Sequence, residues 1–318
     1  MAKKSKYRYK RNLIEEIASK VKLLRHNIKY SIEMLKTSGG GTLLDVLLFN
    51  FKKEKEFEVN LSITAIIRNE ATYIKEWLEF HKLVGVERFY IYDNESTDNI
   101  KEVLQPYIEK GEVIYKYFPG EKMQFAAYND SISVNRYNTK YMAIVDLDEF
   151  IVPVEHNSIL DFINDLQSKS RRKIAAIGMS WLIHGFNGHK EKQEGLLTEL
   201  YPKCEYSSVS SETVKSIVNP RSILKVYNPH YALHVIGSKI VNSEGKPMHG
   251  PYTKPSHNKI RVNHYYTKSY EEHVSRINKG KADGNTGAKV LEYSPDLYSV
   301  DIDEPIKKYI PMLKEKMK

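Results

Sequence analysis

The sequence predicts an α/β fold of the Rossmann-like kind, with a mostly parallel sheet between flanking helices and a basic helical extension before it. Two observations predict this fold. From residue 59 onwards, short runs rich in β-branched residues alternate with segments of helical periodicity, as in parallel βαβ units. Before that point the composition is different, because most of the net charge of +9 lies in the first 56 residues.

The alternation is regular as far as Trp181. Strands are predicted at Leu61–Ile67, Arg88–Tyr92, Glu112–Phe118, Tyr141–Val145 and Ile174–Trp181, and helices at Tyr73–Val84, Ile100–Ile108, Gln124–Arg136 and Ser158–Gln167. Past Ile183 the sequence is rich in Gly, Pro, His and Tyr, which favours loops around a site. Ser269 and Glu272 form the pattern of a capping box, so a helix should begin there. A short basic helix, Ile306–Lys318, should end the sequence.

The extension has the pattern of an amphipathic helix. Residues 1–56 contain 14 Lys and Arg against 6 Asp and Glu, a net charge of +8. Apolar residues recur there at spacings of three and four, which marks one helix face: Ile14, Ile17, Val21, Leu24 and Ile28. Such a face either lies on an anionic membrane or packs against a protein surface, including the chain's own main domain. Gly39-Gly40-Gly41 predicts a break after it.

Composition narrows the class of protein. Cys204 is the single cysteine, so no intramolecular disulfide can form and a reducing compartment is expected. The basic start is not followed by an apolar signal core, and the best apolar run, Thr42–Phe51, is too short to span a bilayer. The residues after 56 are nearly neutral and show no basic stripe, which argues against nucleic acid as a partner. We therefore expect a cytoplasmic protein that sits peripherally on the inner face of the membrane.

Polar side chains follow three of the predicted strands. The first ends in Arg68-Asn69-Glu70, the second in a run that starts with Asp93-Asn94, and the fourth in Asp146-Leu147-Asp148. Ligands of open α/β sheets bind at the carboxyl ends of the strands, so these residues should surround a site.

Asp146 and Asp148 are the strongest candidates in that site. Residues two apart on a strand point the same way, so the two aspartates should face one side, and two adjacent carboxylates repel unless a cation lies between them. Oxygen ligands of this kind suit Mg²⁺ or Mn²⁺. A cluster that caps a helix, or a solvated turn, is the structural alternative. Neither a P-loop nor a dinucleotide-binding glycine motif is present, which leaves the metal to neutralise a substrate diphosphate.

An ordered set of motifs resembles glycosyltransferase family 92 and its bacterial relatives. The set covers roughly residues 59 to 285 and comprises Ile66–Glu70, Glu76–His81, Tyr92–Asp98, Gln124, Asp146–Phe150, Trp181, Gly185–His189, Lys215–Pro220, Pro229-His230 and Asn263–Ser269. Asn187 stands where many relatives carry Ser. The resemblance implies a GT-A fold, a UDP-sugar donor, a divalent metal and inversion at the anomeric carbon. Together with the charge pattern, this predicts three segments: the extension (1–56), the transferase domain (57–285) and a C-terminal helical tail (286–318).

The resemblance further implies roles for individual residues. Arg68, Asp93 and Asn94 would line the uridine pocket, and the wider donor-binding set would include Asn69, Glu70, Gln124, Asp146 and Lys268. Asp146 and Asp148 would hold the metal with a late histidine, for which His264 is preferred and His230 is the second candidate.

An inverting transfer needs a base for the hydroxyl of the acceptor, a glycan or lipid-linked glycan. Glu199 and Glu212 are the candidates, and Glu199 is preferred because it follows the glycine-rich motif. Trp181, Phe186 and Tyr201 are candidates for stacking on an acceptor sugar, whereas His81, on an apolar helix face, is predicted to be structural.

The predicted function is transfer of a hexose such as galactose in the synthesis of a cell-surface polysaccharide or glycolipid. Two other functions remain open. One is a metal-dependent phosphatase or nucleotidyltransferase that uses the same aspartates, and the other is a non-catalytic scaffold on a membrane surface.

Overall fold

The computed structural model describes residues 8–10, 12–53, 56–279 and 289–318, and in these ranges strands and helices alternate as predicted up to the fourth strand. A fifth strand that was not predicted follows the fourth without a helix between them. The helices are α1 Leu13–Leu47, α2 Ile74–Leu83, α3 Ile100–Glu109, α4 Gln124–Val134, α5 Ile159–Ser168, α6 Leu197–Leu200, α7 Tyr270–Lys279 and α8 Ile310–Met317. The strands are β1 Val59–Ile67, β2 Arg88–Asp93, β3 Val113–Tyr117, β4 Thr139–Ile144, β5 Glu149–Pro153, β6 Ile174–His184, β7 Lys203–Glu205, β8 Val214–Val218, β9 Ile223–Val226, β10 Ala232–His234, β11 Lys239–Asn242, β12 Ile260–His264 and β13 Asp301–Ile302.

The first four strands form a parallel sheet in the order β3-β2-β1-β4. Ile67 at the end of β1 pairs with Asp93 at the end of β2, so the polar segments that follow these strands start side by side. The predicted α/β class is confirmed, with helices between successive parallel strands. Short crossovers and continuous apolar strands made this half predictable.

The second half of the sheet contains antiparallel strands that the sequence did not reveal. β8 lies between β4 and β6 and is antiparallel to both, while β12 pairs with β5 and β6. The expectation of loops past Ile183 was thus only partly right, because β7 to β12 are strands of three to five residues. Runs this short are too brief for an alternating pattern to stand out.

Helix α2 packs its apolar face against the sheet, with Trp77 and Phe80 fully buried. His81 is also fully buried. Its Nδ1 lies 2.8 Å from the carbonyl oxygen of Trp77, and its Nε2 accepts the backbone N–H of Ile151 at 3.1 Å. The structural role predicted for His81 is confirmed.

The predicted N-terminal helix is present as α1, with a kink where Gly39 adopts a positive φ of 80°. Its apolar stripe points away from the protein: Ile14 is 79% exposed and Ile28 56%. A different face meets the main domain, through the buried side chains of Asn27 and Met34. Docking of the stripe itself on the chain's own domain is therefore excluded.

The C-terminal residues belong to the same core as α2. Leu313 of α8 is fully buried, and Tyr309 packs edge-on against Phe80 with ring centroids 5.1 Å apart. Upstream, the carbonyl of Leu297 lies so close to Gly185 that a Cβ there would be 1.7 Å from its oxygen. The predicted boundary between residues 285 and 286 lies outside the described residues, as do most of residues 1–11. In the described part of the chain, none of the helices combines the length and the apolar character needed to cross a bilayer.

Candidate functional site

Asp146 and Asp148 lie in a tight turn between β4 and β5, not on a strand. The backbone N–H of Glu149 donates to the carbonyl of Asp146 at 3.1 Å and closes the turn. The prediction that strand alternation places the two carboxylates together was therefore wrong in its geometry. The turn has a similar result, because Leu147 is buried while both aspartates remain partly exposed.

Two buried side chains hold the carboxylate of Asp146. The hydroxyl of Tyr128 donates to Oδ1 at 3.0 Å, and the ammonium of Lys215 donates to Oδ2 at 2.7 Å. Gln124 donates in turn to the Tyr128 hydroxyl at 3.3 Å. Gln124, a predicted donor-binding residue, thus reaches the aspartate turn through Tyr128.

Lys215 joins Asp146 to Glu149 in the interior. The Lys215 side chain is 0% exposed, and its ammonium lies 3.2 Å from Oε2 of Glu149, which is also 0% exposed. The same oxygen accepts the backbone N–H of Asp146 at 2.9 Å. Burial raises the pKa of Glu149 to about 7, even though the charge of Lys215 acts in the opposite direction. The fully buried ammonium of Lys215 therefore holds the aspartate turn in place through its contacts with Asp146 and Glu149.

Asp148 faces a different partner, the imidazole of His264. Its Oδ2 lies 3.4 Å from Nε2 of that ring, and its side chain is 17% exposed. Burial would raise the pKa of Asp148, but His264, Arg276 and Lys268 outweigh it, so the pKa falls below its usual range. His264 ends β12 and pairs with Glu149 of β5, which explains how residues distant in sequence meet here.

The indole of Trp181 lies between the two candidate histidines. Its ring centroid is 4.4 Å from that of His264 and 5.0 Å from that of His230. Burial lowers the pKa of His230 to about 3, so this imidazole is neutral at physiological pH. Both histidines proposed for metal binding thus border one partly exposed aromatic side chain.

Further cations approach Asp148 from the segment after β12. The ammonium of Lys268 lies 3.9 Å from the ring centroid of Tyr73 and 3.9 Å from Oε2 of Glu70. The guanidinium of Arg276, in α7, lies 3.9 Å from the ring centroid of Tyr266. The helix begins as predicted, since Ser269 and Glu272 exchange the hydrogen bonds of a capping box.

The donor set of this turn suits a divalent cation that a substrate completes. In the described ranges, no group of three or more His, Cys, Asp or Glu side chains is arranged to hold a metal. Asp148 and His264 offer two ligands, and Mg²⁺ or Mn²⁺ usually adds water and phosphate oxygens to so small a set. Asp146 also remains a candidate, because a carboxylate has about four acceptor sites and described residues occupy two of them.

The predicted uridine-pocket residues mostly hold the loops in place. Both oxygens of Asp93 accept hydrogen bonds, from the Ser96 N–H at 2.9 Å and from the Tyr115 hydroxyl at 2.6 Å. Asn94 donates to two carbonyls of the loop after β3, at 2.8 and 3.1 Å. Arg68 is exposed and makes no hydrogen bond or ion pair with another described residue.

Asn69 links the loops after β1 and β2. It has a positive φ of 59°, and its Oδ1 accepts the Thr97 N–H at 2.7 Å. The loops that would surround a nucleoside are therefore fixed before any ligand binds.

The two candidate bases differ in their surroundings. Glu199 in α6 pairs with Lys314 of α8 at 2.5 Å, on the surface. Glu212 is buried and accepts the backbone N–H of Arg8 at 2.9 Å. Each carboxylate therefore already has a partner within the protein.

Two acceptor-stacking candidates belong to the core. Phe186 is 0% exposed among Tyr270, His273 and Tyr293, and Tyr201 is 1% exposed. Their proposed contact with a sugar was wrong, because neither ring offers a free face. Trp181 keeps its partial exposure and remains a candidate.

Sequence reasoning missed Tyr128, Lys215 and Arg276. Lys215 stands in a resemblance motif, which could have singled it out, but a lysine in a short apolar strand gives no sign of being buried. Tyr128 and Arg276 lie in helices, where one tyrosine or one arginine carries no signal of its own.

Comparison with known proteins identifies relatives of this chain. Residues 57–288 match the model of glycosyltransferase family 92. A family 92 protein of Oryza sativa subsp. japonica is 26% identical over 242 residues, which cover 74% of this chain and 37% of that protein. Galactan beta-1,4-galactosyltransferase GALS2 of Arabidopsis thaliana is 28% identical over 184 residues, 54% of this chain and 35% of that protein. The chain thus spans about a third of the length of these curated relatives.

Solved structures show more distant likeness. Glucosyl-3-phosphoglycerate synthase from Mycobacterium tuberculosis, in complex with Mn²⁺, UDP and phosphoglyceric acid, aligns with a TM-score of 0.33 at 12% identity, over 61% of this chain and 75% of that one. S. aureus TarS with UDP aligns with a TM-score of 0.32 at 14% identity, over 51% of this chain and 47% of that one. At such scores neither likeness bears on the function of the chain.

Proposed function

Because the chain belongs to glycosyltransferase family 92 and has an α/β fold of the GT-A type, we propose that it transfers a sugar from a UDP-sugar to a glycan acceptor. The sugar is a hexose, for which galactose is the first choice, since two relatives are named as galactosyltransferases. The reaction inverts the anomeric carbon, and the acceptor is a glycan or a lipid-linked glycan of a cell-surface polysaccharide or glycolipid.

One observation carries this proposal: the turn of Asp146 and Asp148 sits beyond the end of parallel strand β4, with His264 beside Asp148. Carboxylates and an imidazole at this edge are what a site for a metal and a nucleoside diphosphate requires. Cations from three different segments, Lys215, Lys268 and Arg276, surround the same turn and offset its negative charge.

In the proposed mechanism, Asp148 and His264 would hold a divalent ion, with Asp146 as a further ligand. When bound, that ion supplies Lewis-acid neutralisation of the diphosphate leaving group. Lys215 and Tyr128 fix the orientation of Asp146 from the interior. The pre-formed loops at Asn69 and Asp93 border the nucleoside, and Trp181 offers its partly exposed ring to a sugar.

The acceptor hydroxyl must lose a proton as the new bond forms. Glu199 and Glu212 remain the candidates for this base, and each would have to leave its present cation or N–H partner. Individual replacement by Gln distinguishes them, because loss of a base lowers kcat with little change in the KM for donor.

A panel of nucleotide sugars tests the activity directly. Purified protein should release UDP from one UDP-hexose in the presence of manganese, and chelation should stop the release. Asp148→Asn is the matched inactive variant, since it removes one charge at constant size. Release from no UDP-sugar in the panel, or hydrolysis of simple phosphate esters instead, would refute the proposal and favour a phosphatase.

We also propose that α1 attaches the protein to an anionic membrane surface. The apolar stripe of the helix faces outwards, and Lys22, Arg25 and Lys29 lie exposed beside it. Each basic residue adds about 1 kcal/mol at such a surface, in addition to burial of the stripe. Pairing with a second copy would instead bring the like charges of two helices together.

Point variants test this attachment without disturbing the buried face of α1. Leu24→Glu lies on the stripe, whereas Leu44→Glu, beyond the kink, makes the same change at similar exposure, 50% against 54%. With vesicles that contain phosphatidylglycerol, Leu24→Glu should weaken co-sedimentation strongly and Leu44→Glu should leave it nearly unchanged. Failure of the wild-type protein to bind at low salt, or a dimer that Leu24→Glu dissociates, would contradict membrane attachment.

A further inference from the structure

Arg276 occupies an unusual position on the edge of the proposed site. The central carbon of its guanidinium lies over the ring of Tyr266, 3.9 Å from the ring centroid. Tyr266 packs edge-on against His264 at 5.4 Å, and His264 contacts Asp148. An arginine of α7 is thus linked by two aromatic contacts to the carboxylate of the aspartate turn.

Within the described part of the chain, two N–H groups of Arg276 have no acceptor. Nε and Nη2 are both buried, and neither has a hydrogen-bond partner within the described ranges of the chain. Leaving a buried donor of a charged group unpaired is costly, so such groups are normally satisfied. Nε and Nη2 form one edge of the guanidinium fork, the edge that binds two oxygens of a phosphate or a carboxylate at once.

The surroundings indicate which kind of oxygen is missing. The ammonium of Lys268 lies over the ring of Tyr73, and Arg276 stacks on Tyr266 beside His264, so positive charge converges beside the proposed metal position. Near that charge, Nδ1 of His264 is also buried and has no hydrogen-bond partner among the described residues. Several donors without acceptors, next to a carboxylate that suits a divalent ion, fit an anion that contacts ion and arginine together.

We propose that Arg276 binds the distal phosphate of the donor's diphosphate through its Nε and Nη2 edge, with Tyr266 fixing the plane of the guanidinium. This inference rests on the proposed function, because it requires a nucleoside diphosphate in the site. The contact becomes stronger as the sugar leaves, since negative charge then develops on the same phosphate.

Ligands that differ by one phosphate test the assignment. Binding of UDP and UMP is measured by calorimetry with manganese for the full chain and for Arg276→Gln, Arg276→Lys and Arg171→Gln. Arg171 is the matched control because it is exposed and lies far from the proposed site. It comes just before Ile174, where β6 begins, whereas His264 of the site pairs with Ile183 near the other end of β6.

Arg276→Gln should weaken UDP binding about ten-fold or more, because it loses a charge-assisted bidentate contact, and should change UMP binding less than about three-fold. Arg276→Lys keeps the charge but not the fork. It should bind UDP several-fold more weakly than the wild type and have an unchanged melting temperature. Arg171→Gln should match the wild type for both ligands.

Each other result overturns the inference. Equal losses for UDP and UMP would assign Arg276 to the nucleoside or to the fold, and unchanged UDP binding would make it a surface-packing residue. In both cases the wild type still binds UDP, so the proposed function stands. If the wild type binds neither UDP nor any other nucleoside diphosphate, the proposed function fails and the inference fails with it.

Discussion

Replacing Lys215 with Met removes the buried cation under the aspartate turn while nearly keeping the volume of the side chain. In the native protein its ammonium contacts Asp146 at 2.7 Å and Glu149 at 3.2 Å, and both Lys215 and Glu149 are fully buried. The variant leaves a carboxylate of Glu149 in the interior without a counter-charge. Lys215→Met should therefore disturb the fold as well as the site.

The magnitude follows from what remains buried. Breaking a buried ion pair by removing one partner costs about 3–5 kcal/mol. The lower end applies here, because Asp146 is 36% exposed and Glu149, whose pKa is already raised to about 7, can take up a proton. A carboxyl whose pKa is higher in the folded state stabilises that state more as the pH falls. Lys215→Met should therefore lower the free energy of unfolding by about 3 kcal/mol at pH 8 and by less at pH 6.

Urea unfolding at both pH values measures the effect. Lys225→Met is the matched control, since Lys225 pairs with Glu33 at 2.5 Å with both side chains partly exposed, and such pairs are worth about 0–1 kcal/mol. Adding Glu149→Gln to Lys215→Met should recover part of the lost stability, because the uncompensated charge is gone.

The reasoning would be refuted if the free energy of unfolding of Lys215→Met were within about 1 kcal/mol of the wild-type value at pH 8. A loss that grows as the pH falls would also refute it, since the sign would exclude proton uptake by Glu149. A double variant that is less stable than Lys215→Met alone would show that Glu149 is held by something other than this ion pair.

Other predictions concern residues at and behind the site. Asp148→Asn should abolish sugar transfer and leave the melting temperature within a few degrees, and activity above about a tenth of wild type that chelation does not affect would remove the metal from the proposal. Asp93→Ala should weaken UDP binding in calorimetry. It should also lower the free energy of unfolding in urea by about 1–3 kcal/mol, because both carboxylate oxygens of Asp93 accept hydrogen bonds from loop groups. Unchanged UDP binding would show that Asp93 is a purely structural residue. Burial lowers the pKa of His81 to about 3, so the neutral ring stabilises the fold at pH 7 and that contribution is lost as the pH falls from about 6.5 towards 3. His81→Gln should therefore be less stable at pH 7 but lose about 2 kcal/mol less than the wild type between pH 7 and pH 5, and an equal loss in both proteins would contradict the neutral histidine.

The parallel half of the sheet could be predicted from sequence because its signals are local. β1 and α2, for example, each carry their own periodicity, and each connection is short. The position of β8 could not be predicted, since its partners β4 and β6 are separated from it by long stretches of chain. Non-local antiparallel pairing leaves no periodic mark in a five-residue strand.

The same distinction applies to the site. Asp146 and Asp148 could be predicted, because carboxylates directly after a buried strand are costly without a use. The role of Lys215 depends on the non-local position of β8, so its burial became visible only in three dimensions. For α1 the sequence showed that an apolar stripe exists but not which face would meet the domain, since Asn27 and Met34 on the docking face are not part of that stripe.

The position of β12 between β5 and β6 has a consequence for synthesis on the ribosome. The turn with Asp148 emerges early, but its partner His264 lies far along the chain, and Arg261 and Asn263 of β12 bind the buried Asp303 near its end. The parallel strands can pair as they leave the exit tunnel, whereas the edge with the candidate site must wait for β12. Until then β5 and β6 are unpaired along that side and expose backbone N–H and C=O groups without partners, which is the condition under which a nascent chain recruits chaperones or aggregates. Slow codons or a pause between β6 and β12 would lengthen this exposure, so the yield of folded protein should depend on the rate of translation through that interval.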